Sequence, residues 1–146
     1  MNKEFKIKKQ IENEFKIKLG DELFYNLTVN IYNNEQKISK AIKLGKKAVQ
    51  INPKNNLFWA FLGYAHNLNE EYDKSISCFL KRIALNPHDV YAWLELSFAY
   101  RSKGNLELSD WMNFNIELFI NYYKRLGFRL LSHKNLVDIK ERIQED

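Results

Sequence analysis

Two prolines, five glycines and one cysteine are all that the 146 residues hold of the types that turn, break or cross-link a backbone. So few breakers argue against an all-β fold, which needs frequent tight turns, and in favour of helices. The lone Cys78 excludes an intramolecular disulfide and a thiolate zinc site, and it points to a reducing compartment. No apolar run approaches the roughly 18 residues of a membrane span. The lysine-rich start is followed by no apolar core of the kind a secretory leader carries. The sequence therefore reads as soluble and cytoplasmic. What is present is ample: 45% hydrophobic and 14% aromatic residues supply a core for one domain or a short repeat array.

The net charge of +5 is spread unevenly. Residues 1–54 carry 12 lysines against 6 acids, whereas residues 55–123 carry 5 bases against 8 acids. From Lys37 to Lys54 there are Lys37, Lys40, Lys43, Lys46, Lys47 and Lys54 and no acid at all. Such a block is either a solvated helix face or a contact for phosphates and acidic partners.

Self-comparison gives one dominant offset of 34 residues. Asn52-Pro53 recurs as Asn86-Pro87, and Trp59, Leu62 and Ala65 recur as Trp93, Leu96 and Ala99. Small residues align as Ala41, Ser75 and Ser109, and apolar ones as Ile51, Leu85 and Phe119. A fixed period in this range indicates stacked units, since one unit alone cannot bury its apolar face. Within a unit the pattern is helix, turn, helix. Phe58, Phe61, Leu62 and Ala65 have helical spacing, Asn67 to Glu70 form a polar break, and Ile76, Phe79, Leu80 and Ile83 resume the period until Asn86-Pro87 stops it. Asn55 or Asn56, and Asp89, are placed to cap the helices after the two prolines.

These residues resemble the tetratricopeptide repeat family, whose pattern runs Trp, Leu-Gly, Tyr, then Ala, Phe and Pro at fixed spacing. Unit 56–89 matches through Trp59, Leu62, Gly63, Ser75, Phe79 and Pro87, with His66 in place of Tyr and Arg82 at a usually small site. Unit 90–123 keeps Trp93, Leu96, Tyr100, Gly104 and Ser109, but has Ser97 for Gly and no closing Pro. Unit 22–55 keeps Tyr25 for Trp, then Tyr32, Ala41, Ala48 and Pro53, with Thr28-Val29 for Leu-Gly. The resemblance implies an all-α fold, a right-handed α-solenoid of three helix-turn-helix repeats. Residues 1–21, with Ile7, Ile11, Phe15 and Leu19 on one stripe of a helix over 4–19, and residues 124–146 are expected to cap its ends. A membrane-surface anchor is the other reading of the N-terminal helix, opposed by its glutamates and lack of tryptophan. Residues 106–126 read as one long helix ended by Gly127, and a last helix starts near Ser132.

Chemistry is not expected. His66, His88 and His133 have neither metal-ligand spacing nor a companion cluster, and there is no glycine-rich phosphate loop or nucleophile elbow. The sequence predicts a non-enzyme without metal or cofactor. In proteins of this resemblance the first helix of each pair lines a concave groove that receives a peptide or helix. Carried over by repeat position, the groove holds Asn26, Asn30 and Asn33 in the first unit and Leu57, Tyr64, Asn67 and Leu68 in the second. The third unit adds Tyr91, Leu94, Phe98 and Arg101. Tyr64 and Phe98 are the expected anchors for a protein or peptide partner, and the asparagines offer amides to its backbone. The opposing possibility is that the chain covers this patch itself with residues 128–145. Of the cationic clamp with which chaperone-tail-binding members hold a carboxylate terminus, only Asn30 has a counterpart, so acidic chaperone tails are not expected ligands. The alternative function is electrostatic binding of nucleic acid or acidic surfaces through Lys37, Lys40, Lys43, Lys46 and Lys47, with Ile42, Val49 and the alanines of that helix inward. Apolar end helices also leave homo-oligomers open.

Overall fold

The computed structural model describes residues 2–20, 22–127 and 132–145. Among them the chain is all-helical: α1 (Lys3–Phe15), α2 (Leu23–Ile31), α3 (Glu35–Ile51), α4 (Asn56–Leu68), α5 (Tyr72–Leu85), α6 (Val90–Lys103), α7 (Leu106–Phe114), α8 (Ile116–Arg125) and α9 (His133–Glu145). The chain divides into two compact units, Met1–Cys78 and Phe79–Asp146, with the division inside α5.

The 34-residue period is visible in the turns. The indole N–H of Trp59 donates to the Pro53 carbonyl at 2.7 Å, and that of Trp93 donates to the Pro87 carbonyl at 2.9 Å. Asn55 and Asp89, also 34 apart, cap α4 and α6 by accepting from backbone N–H groups of the first turn. At the other end of these helices Glu70 and Gly104 are left-handed, with φ of 60° and 100°. The next N–H in each case, Glu71 or Asn105, reaches back to the carbonyl of His66 or Tyr100 at 2.9 Å. This is the Schellman way of closing a helix, and it favours glycine at the left-handed position.

In the first unit α1 stops at Phe15, short of the expected 4–19, because Lys16 turns left-handed at φ 53° and Ile17 N–H bonds the Glu12 carbonyl. Ile7, Ile11 and Phe15 are buried, and Ile17 and Leu19 are buried beyond the helix. The helix lies along α3, where Glu14 meets Lys40 at 2.7 Å and Glu4 accepts from Asn55 at 3.0 Å. Phe15 reaches Phe61 of α4, with ring centroids 5.8 Å apart. α3 faces inward with Ile38, Ala41, Leu44, Gly45 and Ala48, while Ile42 and Val49, expected inward, are half-buried. Steps of three and four residues from Ile38 through Ala41, Leu44 and Ala48 set the stripe, and Ile42 and Val49 fall to its flank.

The helix expected to pair with α3 behaves differently. α2 buries Leu23, Leu27 and Ile31 and leaves Tyr25, Val29 and Tyr32 exposed at 68%, 64% and 65%. Their third-unit counterparts Trp93, Ser97 and Tyr100 are all buried. The left-handed residue that closes α2 is Asn33, three positions before the site of Glu70 and Gly104 in the repeat. The three aliphatic side chains spaced four apart bury together on one stripe, and the repeat positions are turned away from it.

In the second unit Trp93 packs against Phe119 and Tyr123 with centroids 6.3 and 5.9 Å apart. α6 and α7 approach at Ser97 and Ser109, whose hydroxyls are 3.0 Å apart. The expected single helix over 106–126 is broken at Asn115. Its φ/ψ of −134°/33° leave the helical region, and its side-chain amide donates to the Trp111 carbonyl at 2.9 Å. A short amide that bonds the backbone competes with helix continuation. α9 buries Leu136 and Ile139, and Lys140 bonds Glu107 of α7. Arg82, the odd residue of its repeat, is buried and ion-paired with Glu95 of α6 and with Asp89 at 3.6 Å.

Two outcomes test this packing. A Cβ on Gly45 would stand 2.9, 3.2 and 3.3 Å from Leu62 Cδ1, Cβ and Cα. Gly45→Val should therefore lower unfolding free energy by about 1–3 kcal/mol in urea titrations, with part regained when Leu62 is also cut to Ala. Arg82→Met leaves Glu95 and Asp89 without their cation and should cost about 3–5 kcal/mol. The Arg82→Met, Glu95→Leu double variant should recover most of it.

Candidate functional site

The sequence-derived groove residues fall in both compact units. On α2 the Asn30 side-chain amide donates to the Asn26 carbonyl at 2.9 Å and to the Lys16 carbonyl at 3.4 Å. Asn30 thus spends its donors on its own backbone. Asn33 is exposed but occupies the left-handed closing position of α2. Tyr64, expected as an exposed anchor, is buried at 7% exposure, with the Phe24 ring 5.0 Å away. This covering arises because α2 packs on α4 and sets Phe24 beside it. Asn67 is buried as well, and Leu57 and Leu68 are half-buried. The proposed cover by residues 128–145 includes 128–131, which lie outside the described residues; Tyr64 is covered by Phe24.

The third-unit residues are arranged otherwise. Tyr91, Leu94, Phe98 and Arg101 follow one another at helical spacing and share a face of α6. Tyr91 is 72% exposed, Leu94 is 39% exposed, and Phe98 is half-buried between them and Arg101. Arg101 is held at 3.3 Å by Asp110 of α7, both side chains remaining more than half exposed. This face combines aromatic and aliphatic area with one charged pair at its edge, the composition of a peptide-contact patch.

The basic stripe is where the sequence puts it. Lys37, Lys40, Lys43, Lys46 and Lys47 are all exposed on α3. Lys40 is paired with Glu14; the other four make no ion pair among the described residues. The arrangement supplies positive potential without an adjacent stacking aromatic on the same helix.

The remaining titratable groups explain themselves structurally. Among the described residues no three His, Cys, Asp or Glu side chains gather as a metal set. Cys78 is buried, and its burial pushes the thiol up to about 12, far from thiolate reactivity at neutral pH. His133 Nδ1 lies 3.0 Å from the Tyr100 hydroxyl. No helix among the described residues is long and apolar enough to cross a membrane.

Sequence reasoning missed two features. One is Phe114, 85% exposed at the α7–α8 break. The other is the outer face of α2, where Tyr25, Val29 and Tyr32 lie opposite Leu23, Leu27 and Ile31. The signal was available: residues 23–32 are apolar on two faces, which the repeat register disguises.

The turn after α4 makes a pH prediction. Burial lowers the pKa of His66 even though Glu71 Oε1 is 3.1 Å from its Nδ1. Hydrogen bonds from Asn69, Lys74 and His66 hold Glu71 down at about 2. The unfolded chain binds protons more readily at both sites, so both lose stability on acidification. For His66 the loss begins as pH falls through its ordinary 6.5, and for Glu71 it runs from 4.5 down to about 2. Urea midpoints measured from pH 8 to pH 3 should fall in both ranges. His66→Gln should flatten the upper one and Glu71→Gln the lower one.

No protein-family model, curated protein or solved structure matches this chain, and its function is therefore argued from the side chains described above.

Proposed function

We propose that the chain is a non-catalytic protein-interaction module, an adaptor or small chaperone, which takes a peptide or helix of a partner on the exposed face of α6. The observation that carries the reading is the exposure of Tyr91 and Leu94 on one helix face with Phe98 beneath them. Buried against a partner, a tyrosine and a leucine each contribute on the order of 1.5–3 kcal/mol, enough to anchor a short segment. The right-handed solenoid of three repeats belongs to the same reading, and the recurrence of the Trp–Pro bond, the N-caps and the left-handed closures at 34 residues supports it. Few cations border the face, which favours apolar segments over acidic chaperone tails.

A second reading has its own observation. Lys37, Lys43, Lys46 and Lys47 stand exposed along α3 without carboxylate partners among the described residues. They suit non-specific contact with nucleic acid or an acidic surface, with affinity that falls steeply as salt rises.

The two are separated by one pair of titrations. Peptides selected from a random display library on the wild-type chain should lose at least about tenfold in affinity for the Tyr91→Ser, Leu94→Ser variant. Their affinity should change little with salt. If no peptide is enriched, while a labelled oligonucleotide binds and is released by salt and by Lys43→Glu, Lys47→Glu, the basic stripe takes first place.

A further inference from the structure

We infer that the outer face of α2 is a self-association surface that receives the same face of a second copy of this chain. A helix apolar on two opposite faces leaves one of them in water unless a second body covers it. Leu23, Leu27 and Ile31 are covered within the first compact unit, whereas Tyr25, Val29 and Tyr32 each leave about two-thirds of their surface exposed. The spacing of these three places them on one stripe of the helix.

Charge identifies the occupant. Residues 1–54 carry 12 lysines against 6 acids, so most of the surface of this unit repels another copy. The stretch Leu23 to Asn34 contains no Asp, Glu, Lys or Arg, an uncharged window in a chain that is 28% charged. A partner attracted by charge has nothing to bind there, and a like-charged copy meets no repulsion there. The pattern is also self-complementary. With two α2 helices antiparallel about a two-fold axis between Thr28 and Val29, Tyr25 of one copy faces Tyr32 of the other and the two Val29 side chains meet near the axis.

Area sets the strength. Two tyrosines and a valine, two-thirds exposed, offer roughly 300–400 Å² per copy, against about 800 Å² per partner in a stable interface. The pair is accordingly a weak, concentration-dependent dimer, favoured by salt because salt screens the repulsion between copies. The α6 face takes no part in it.

Sedimentation equilibrium on the full chain, from about 10 μM to about 1 mM, reads this directly. The weight-average mass should climb toward two chains, further in about 0.5 M than in about 0.05 M sodium chloride. Val29→Lys and Val29→Glu, both at an exposed helix position, should each sediment as one chain while keeping the wild-type circular dichroism spectrum. Mixed together they should pair, and salt should now weaken that pairing. Tyr25→Ser, Tyr32→Ser serves as the second variant should either charge substitution unfold, and it too should be monomeric. Tyr91→Ser, Leu94→Ser should dimerise as the wild type does. A wild-type mass of one chain throughout, association that declines with salt, or folded α2 variants that associate unchanged would each overturn the inference.

Discussion

A tryptophan indole carries one N–H donor, and where that donor finds an acceptor on a nearby turn it ties the turn to the helix that bears the indole. In this chain it finds the carbonyl of a proline six residues earlier, once at Trp59 and Pro53 and again at Trp93 and Pro87. The proline ends the preceding helix because its ring blocks continuation, and the indole bond ties the resulting turn to the first turn of the next helix. The N-cap side chains of Asn55 and Asp89 then satisfy the donors that the new helix leaves open. The direction in which α4 and α6 leave their turns follows from these few contacts. So does the delivery of Trp93 into the aromatic cluster with Phe119 and Tyr123.

Where those contacts are missing, the structure changes. No Asn-Pro turn precedes α2, and Tyr25 stands where the other units have Trp59 and Trp93. Freed of that tie, α2 follows its strongest apolar period, and α1 supplies much of the packing against α3. The consequences reach the surface. Phe24 comes to lie on Tyr64, which removes a side chain from the groove expected from the repeat positions. Tyr25, Val29 and Tyr32 are left outward on a helix without a single charge. Displacement of one helix thus covers Tyr64 and exposes Tyr25, Val29 and Tyr32.

Three buried polar groups, Arg82, Ser97 and His66, follow the opposite logic, each tolerated because a partner is supplied. Arg82 departs from a small-residue site and is compensated by Glu95 and Asp89. Ser97 replaces glycine at a helix contact and is compensated by Ser109. His66 replaces tyrosine and is compensated by Glu71. These three departures from the repeat pattern mark sites where two helices, or a helix and its turn, are joined by a polar contact. The alternative, an unpaired buried donor or charge, costs more than the bond contributes.

Sequence alone determined the helical class, the 34-residue period, a cap at Asp89 and another at Asn55 or Asn56, and the inward stripe of α1 through Ile7, Ile11 and Phe15. These depend on local chemistry and on periodicity, which are properties of neighbouring residues. Repeat position pointed to Tyr91 and Leu94, and the acid-free run pointed to the lysines of α3; all of these side chains are exposed. Only tertiary structure decided that Tyr64 is covered, that α2 turns its repeat positions outward, and that Gly45 stands against Leu62. Those outcomes depend on which of two competing apolar stripes is buried, and that is settled by what stands opposite each of them, not by the stripe itself. The break at Asn115 is the intermediate case. Asparagine announces a weak point in a helix, but whether the helix yields there depends on how its two halves pack.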